Sequence, residues 1–175
     1  SWDPRYGFFL FQVIWAIEWS MIILGLLIRA SYRLVLLAGI ILVAGHNVFD
    51  FFPDLGQHPV MQALFTTRGT IWPLPGQRIV LVAYAILPYT GIMCLGYAMG
   101  KWYDGSIPEQ LRKKRLLWLG AGAVALLLVL RFADVYGNPD PLDTSRTGIN
   151  AVLAFIDVSK YPPSLMFTLM TVGVA

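Results

Sequence analysis

Apolar residues come in long runs along this chain, and short polar stretches break them. Runs over 8–28, 34–52, 79–100 and 116–132 are each near the ~20 residues that an α-helix needs to cross the hydrocarbon core of a bilayer. A further run starts at 163 and continues to 175, too short for a full span. The pattern predicts an all-α fold, a polytopic transmembrane helical bundle with four complete spans plus the start of a fifth. It reads as one transmembrane domain over 1–175, a fragment of a larger protein. The segments between the runs differ in kind. Those at 51–78 and 131–163 are long and rich in Pro, Gly, Asp and aromatic residues, whereas those at 29–33 and 101–115 are short and basic.

Composition strengthens this reading. The chain is 57% hydrophobic and 13% charged, with a mean hydropathy of +0.65. Soluble domains carry roughly 25% charged residues. Aromatic residues stand near several run ends (Trp2, Tyr6, Tyr32, Trp102, Trp118, Tyr136 and Tyr161), as in the belts at membrane–water interfaces. The net charge of +3 is small, and its distribution matters more. Arg29, Arg33, Lys101, Arg112, Lys113, Lys114 and Arg115 make seven of the thirteen Lys and Arg, all in the two short loops. The positive-inside rule makes those loops cytoplasmic and puts 51–78 and 131–163 outside. The 101–115 loop suits either a lipid and topology anchor or contact with an anionic ligand such as a nucleotide phosphate. Nothing in the charge pattern suggests nucleic acid. Cys94 is the single cysteine, which excludes an intrachain disulfide. Two His and one Cys are too few and too scattered for a zinc site, so no metal is expected.

Candidate chemistry centres on Gly45-His46-Asn47-Val48-Phe49-Asp50. Imidazole, amide and carboxylate groups are costly in hydrocarbon and mark a structural or functional need. His46 lies about 18 Å along the second span at 1.5 Å per residue, past the bilayer middle toward the outer face. On an α-helix, His46 and Asp50 stand one turn apart on the same face, so that Asp50 orients the ring. Asn47 is a candidate donor to a carbonyl or developing oxyanion. The alternative is a helix-end cluster that bonds a neighbouring element. Glu18 falls near the middle of the first span and needs a partner or a wet cavity, with Gln12 or Ser20 as local candidates. Arg131, Lys160 and Tyr161 form a second tier of substrate or anion contacts in the outer segment. Pro88 is expected to kink the third span, Gly96 and Gly100 to form a small-residue packing face, and His58 to be exposed.

Several segments, in order, carry a family resemblance: Phe11-Gln12-Val13-Ile14-Trp15, Gly45-His46-Asn47-x-x-Asp50, Leu87-Pro88-Tyr89-x-Gly91, Leu95-Gly96-Tyr97-Ala98, Leu130-Arg131, Tyr136-Gly137-Asn138-Pro139 and Lys160-Tyr161-Pro162-Pro163-Ser164-Leu165. Together they resemble the bacterial heparan-alpha-glucosaminide N-acetyltransferase-like integral membrane proteins. The resemblance implies a multi-pass protein of the bacterial inner membrane. It would take an acyl group from cytoplasmic acyl-CoA, as co-substrate and not as a tightly bound cofactor, and deliver it to an outer-face sugar or related acceptor. His46, Asn47 and Asp50 would then be catalytic, and Arg131, Lys160 and Tyr161 would contact substrate; Glu18 stands where the family usually has a small residue, and its expected substrate contact rests on its own chemistry as a cavity acid. The family also implies an Asp-His pair in a helix before Ser1, which makes His46 one wall of a shared site. A second reading is non-enzymatic: an accessory or scaffold subunit whose partners are lipid, further copies of the chain or other members of a membrane complex. A third is a transporter, which requires a polar path from Glu18 to His46.

Overall fold

A computed structural model describes residues 7–52, 58–66, 70–76 and 78–174. Trp2, Tyr6 and part of the 51–78 segment lie outside the described residues. The chain is mostly helical, and among the described residues three helical stretches are long and apolar enough to cross a membrane: Val13–Ala30, Tyr32–Phe51 and Glu109–Ala133. A small sheet accompanies them, so the all-α expectation is corrected.

The first expected span divides into a strand, β1 (Phe8–Phe11), and a helix, α1 (Val13–Ala30). The third divides likewise. Arg78–Val82 forms a strand, and only Ile86–Gly100 is helical. Hydropathy averages over a window and misses such breaks, but β-branched and aromatic residues favour a pleated surface. With β2 (Thr70–Leu74) and β3 (Arg78–Val82), the order is β1-β3-β2; β1 runs parallel to β3, and β2 runs antiparallel to it. Fifteen helical residues in the third run (Ile86–Gly100) span only about 22 Å at 1.5 Å per residue, short of a full crossing.

Between β1 and the hairpin lie α2 (Tyr32–Gly45) and α3 (Pro59–Met61), the latter running on as a π-turn over Gln62–Thr66. After β3 come α4 (Ile86–Gly100) and α5 (Glu109–Ala133). The basic residues 112–115 therefore lie on the first turns of α5 and not in a loop. The 131–163 segment contains an unforeseen short helix, α6 (Ile149–Ile156), and the fifth run gives α7 (Leu165–Val174). His58 is exposed.

Helices α1, α2 and α4 form the core. On α2 the buried residues are Val35, Gly39 and Val43; on α4 they include Ile86, Thr90, Cys94 and Ala98. Each set recurs every four residues, so the stripes meet as ridges along the helices. The closest approach uses glycines other than those expected. A Cβ on Gly91 would lie 2.9 Å from Leu42 Cβ, and one on Gly39 would lie 2.9 Å from Leu95 Cδ2. Gly96 and Gly100 are exposed with nothing near. Pro88 sits in the first turn of α4, which begins at Ile86. There its missing N–H has no intrahelical partner to lose, so it starts the helix instead of kinking it. Ser20 and Thr90, both fully buried, join α1 to α4: the Thr90 hydroxyl donates to Ser20 Oγ (3.0 Å), and the Ser20 hydroxyl donates to Ala16 O (2.7 Å).

Helix α5 packs on α7, where Gly173 O would lie 2.8 Å from a Cβ on Gly120. The outward side of α5 is apolar and bare, with Leu117 73% and Phe132 76% exposed, as a lipid-facing surface requires. The antiparallel α1–α2 and α2–α4 pairs put the sheet, the end of α2 and the start of α4 at one end. Arg29, Arg33, Lys101 and the basic residues 112–115 stand at the other.

Candidate polar site at the end of α2

Helix α2 stops at Gly45, and the chain tightens into a 3-10 helix over His46–Phe51. This change of period rearranges the expected cluster. With three residues per turn, i and i+3 eclipse, so Asn47 faces Asp50 and His46 does not. Asn47 Nδ2 donates to Asp50 Oδ2 at 2.7 Å. The expected His46–Asp50 pair is thereby corrected.

His46 turns back on its own helix. Its Nδ1 lies 3.0 Å from both Leu42 O and Val43 O. Carbonyls only accept, so Nδ1 carries the proton and Nε2 of the neutral ring holds the lone pair. The residue is 4% exposed, and Nε2 has no hydrogen-bond partner among the described residues. The Pro163 carbonyl also faces the ring.

Asn47 works in two directions. Its Oδ1 accepts from the backbone N–H of Leu165 (2.8 Å), at the start of α7. The next two N–H groups of that helix go to Gly137 O (3.0 Å, from Met166) and to Ser164 Oγ (3.0 Å, from Phe167). Helix starts leave such donors without internal partners, and here three separate segments meet to satisfy them. Gly137 has φ +94°, a backbone region open mainly to glycine, and Asp134 closes α5 in the left-handed conformation at φ 48°.

Tyr136 completes the cluster. Its hydroxyl donates to Ala44 O near the end of α2, and its ring stacks on Phe51. Burial, and then the nearby Asp50 carboxylate, hold its phenol above the ordinary tyrosine pKa. Asn47, Asp50, Asp134, Tyr136 and Asn138 line a cavity of about 190 Å³. Tyr136 and Asn138 were not expected as site residues. Their signal is the Tyr-Gly-Asn-Pro turn, whose value shows only once the chain returns to α2.

Arg131 is 2% exposed and serves the end of α6. Its Nη2 donates to Ala154 O (2.7 Å) and Asp157 O (3.0 Å), its Nε donates to Phe155 O (2.9 Å), and Nη1 lies 3.8 Å from Asp134 Oδ1. Hydrogen bonds to a charged group are worth about 1.5–3 kcal/mol each. Arg131→Met should therefore lower stability by about 3 kcal/mol and admit protease to 149–160 first. Unchanged melting and cleavage would contradict this capping role.

Lys160 and Tyr161 stand apart from the cavity. Lys160 Nζ lies 5.1 Å from the Tyr161 ring centroid, and Tyr161 meets Tyr84 edge-on at 5.3 Å. The Tyr84 hydroxyl first, and then the Lys160 ammonium, hold the Tyr161 phenol below its usual pKa. Glu18 is exposed on α1 with no hydrogen-bond or ion-pair partner among the described residues, and Ser20 is engaged with Ala16 and Thr90. No family model, curated protein or solved structure matches this chain.

Proposed function

We propose that this chain is the membrane part of an acyltransferase-like protein that moves an acyl group from cytoplasmic acyl-CoA to a sugar or related acceptor at the outer face of a bacterial inner membrane. The observation that supports this reading is the buried His46 ring, with Nδ1 committed as a donor to its own helix and Nε2 without a hydrogen-bond partner among the described residues. The ring is buried and does not itself line the cavity, so an amine or hydroxyl acceptor must enter beside it for Nε2 to take its proton as it attacks a thioester carbonyl. The acceptor N or O bonds to the acyl carbon, the C–S bond breaks, and the proton passes from Nε2 to the departing sulfur. The reaction balances with CoA-SH and the acylated acceptor as products. Asn47 uses one Nδ2 hydrogen on Asp50 and keeps the other for an oxyanion on the side of the cavity it lines.

Sealed vesicles containing the full-length protein test the reading. Labelled acetyl-CoA on the side bearing residues 101–115 should label a sugar amine on the opposite side, and reversing the orientation should abolish labelling. Failure to label any sugar amine or hydroxyl acceptor in either orientation would reject it. One observation favours a second reading, a scaffold subunit: Asn47, Tyr136 and Arg131 each bond backbone groups at helix ends, a purely structural use. That reading predicts no turnover with any acceptor.

A further inference from the structure

We propose that the cleft between the end of α4 and the basic start of α5 binds the phosphate headgroup of an anionic phospholipid. The cleft has a volume of about 450 Å³ and is lined by Trp102, Leu111, Lys114, Arg115, Trp118 and Leu119. Trp102 comes from the 3-10 turn Lys101–Tyr103 that follows α4, and the other five come from the first three turns of α5.

The basic residues at this end are not equivalent. Lys101 Nζ sits 3.5 Å from the Tyr32 ring centroid, the Arg112 guanidinium lies 5.0 Å from that of Tyr103, and Lys113 pairs with Glu109 at 2.7 Å. Three of the five cations between 101 and 115 are thus engaged. Lys114 and Arg115 have no ion pair or ring contact among the described residues, and these two line the cleft. Glu109, the nearest acid on α5, is already neutralised by Lys113.

Helical spacing explains the arrangement. Positions 111, 115 and 118 follow one face at i, i+4 and i+7, and 114 joins 111 at i+3 and 118 at i+4. The face therefore alternates cation with large apolar side chain. Trp118 is 68% exposed. Beyond it α5 continues through Leu119 into its apolar, outward-facing length. A phosphate between Lys114 and Arg115 finds two cations, and an acyl chain from the same molecule finds Trp118 and Leu119. A soluble phosphate compound uses the charges and leaves the apolar wall uncovered. A phospholipid uses both, and the aromatic side chains suit the interfacial depth. The charge complementarity favours an acidic headgroup, since each Lys or Arg near an anionic membrane surface strengthens attraction several-fold.

The test uses full-length protein in nanodiscs and reads tryptophan quenching by lipids with brominated acyl chains. Subtracting the Trp118→Phe signal isolates Trp118. Brominated phosphatidylglycerol should quench this component at an about 20-fold lower mole fraction than brominated phosphatidylcholine, as two cations imply. Lys114→Gln with Arg115→Gln should erase the preference, and Arg33→Gln at the same end should keep it. Millimolar ADP, the soluble-phosphate probe, should leave quenching unchanged. Equal quenching by the two lipids, a preference that survives the double substitution, or displacement by ADP would each overturn the proposal.

Discussion

Gly91→Leu should unfold the core of this protein, while Gly96→Leu one turn further along α4 should be tolerated. An added Cβ at Gly91 would lie 2.9 Å from Leu42 Cβ and Val43 Cγ2 and 3.0 Å from the Val43 backbone nitrogen. Side chains can yield by a rotamer change, but a backbone nitrogen moves only with its helix, so α2 must separate from α4. Overpacking in a tight core costs about 1–3 kcal/mol, and this site belongs at or above the upper end because backbone opposes the new atoms. At Gly96 nothing lies within 4 Å of the added atom. Cys94 supplies the readout. It is the single cysteine, it is 0% exposed, and it stands on the same interface. Gly91→Leu should make it react rapidly with a maleimide and should lower the melting temperature, whereas Gly96→Leu should leave it protected. Protection retained in Gly91→Leu would show that α2 and α4 do not meet in this way.

The glycines show how far the sequence could be read. Hydrophobic runs revealed the long helices, because burying apolar groups away from water dominates any sequence window. The same runs concealed the breaks at Gln12 and at 83–85, since a strand of β-branched residues and an apolar helix have equal hydropathy. Small-residue spacing pointed to Gly96 and Gly100, but only the facing helix determines which glycine is approached, and that residue is Gly91.

The polar cluster was legible as a cluster and not as a geometry. His46, Asn47 and Asp50 announced themselves by polarity inside an apolar run. Their pairing depended on a switch from 3.6 to 3.0 residues per turn at Gly45, which no local signal marks. Asn47's second partner, the start of α7, lies 118 positions away. Arg131 was legible as a costly charge, but its role at the end of α6 required a helix hidden within an apparent loop.

The second large effect concerns His46. Replacing it with Asn is more informative than replacing it with Ala, because the Asn amide can still donate where Nδ1 does, toward Leu42 O and Val43 O. The variant keeps the structural hydrogen bond and lacks only the Nε2 lone pair. General-base catalysis contributes about 10²–10⁴-fold to a rate, so turnover should fall by about that factor while melting temperature and Cys94 protection stay at wild-type values. His46→Ala loses both functions and should be less stable as well.

The most direct test of the proposed role is therefore acyl transfer by full-length His46→Asn protein in sealed vesicles, with labelled acetyl-CoA on the basic side and a sugar acceptor on the other. The account predicts a folded protein whose turnover is about a hundredfold or more below wild type. Wild-type turnover in that folded variant would contradict it and leave His46 as a helix-end hydrogen-bond donor alone.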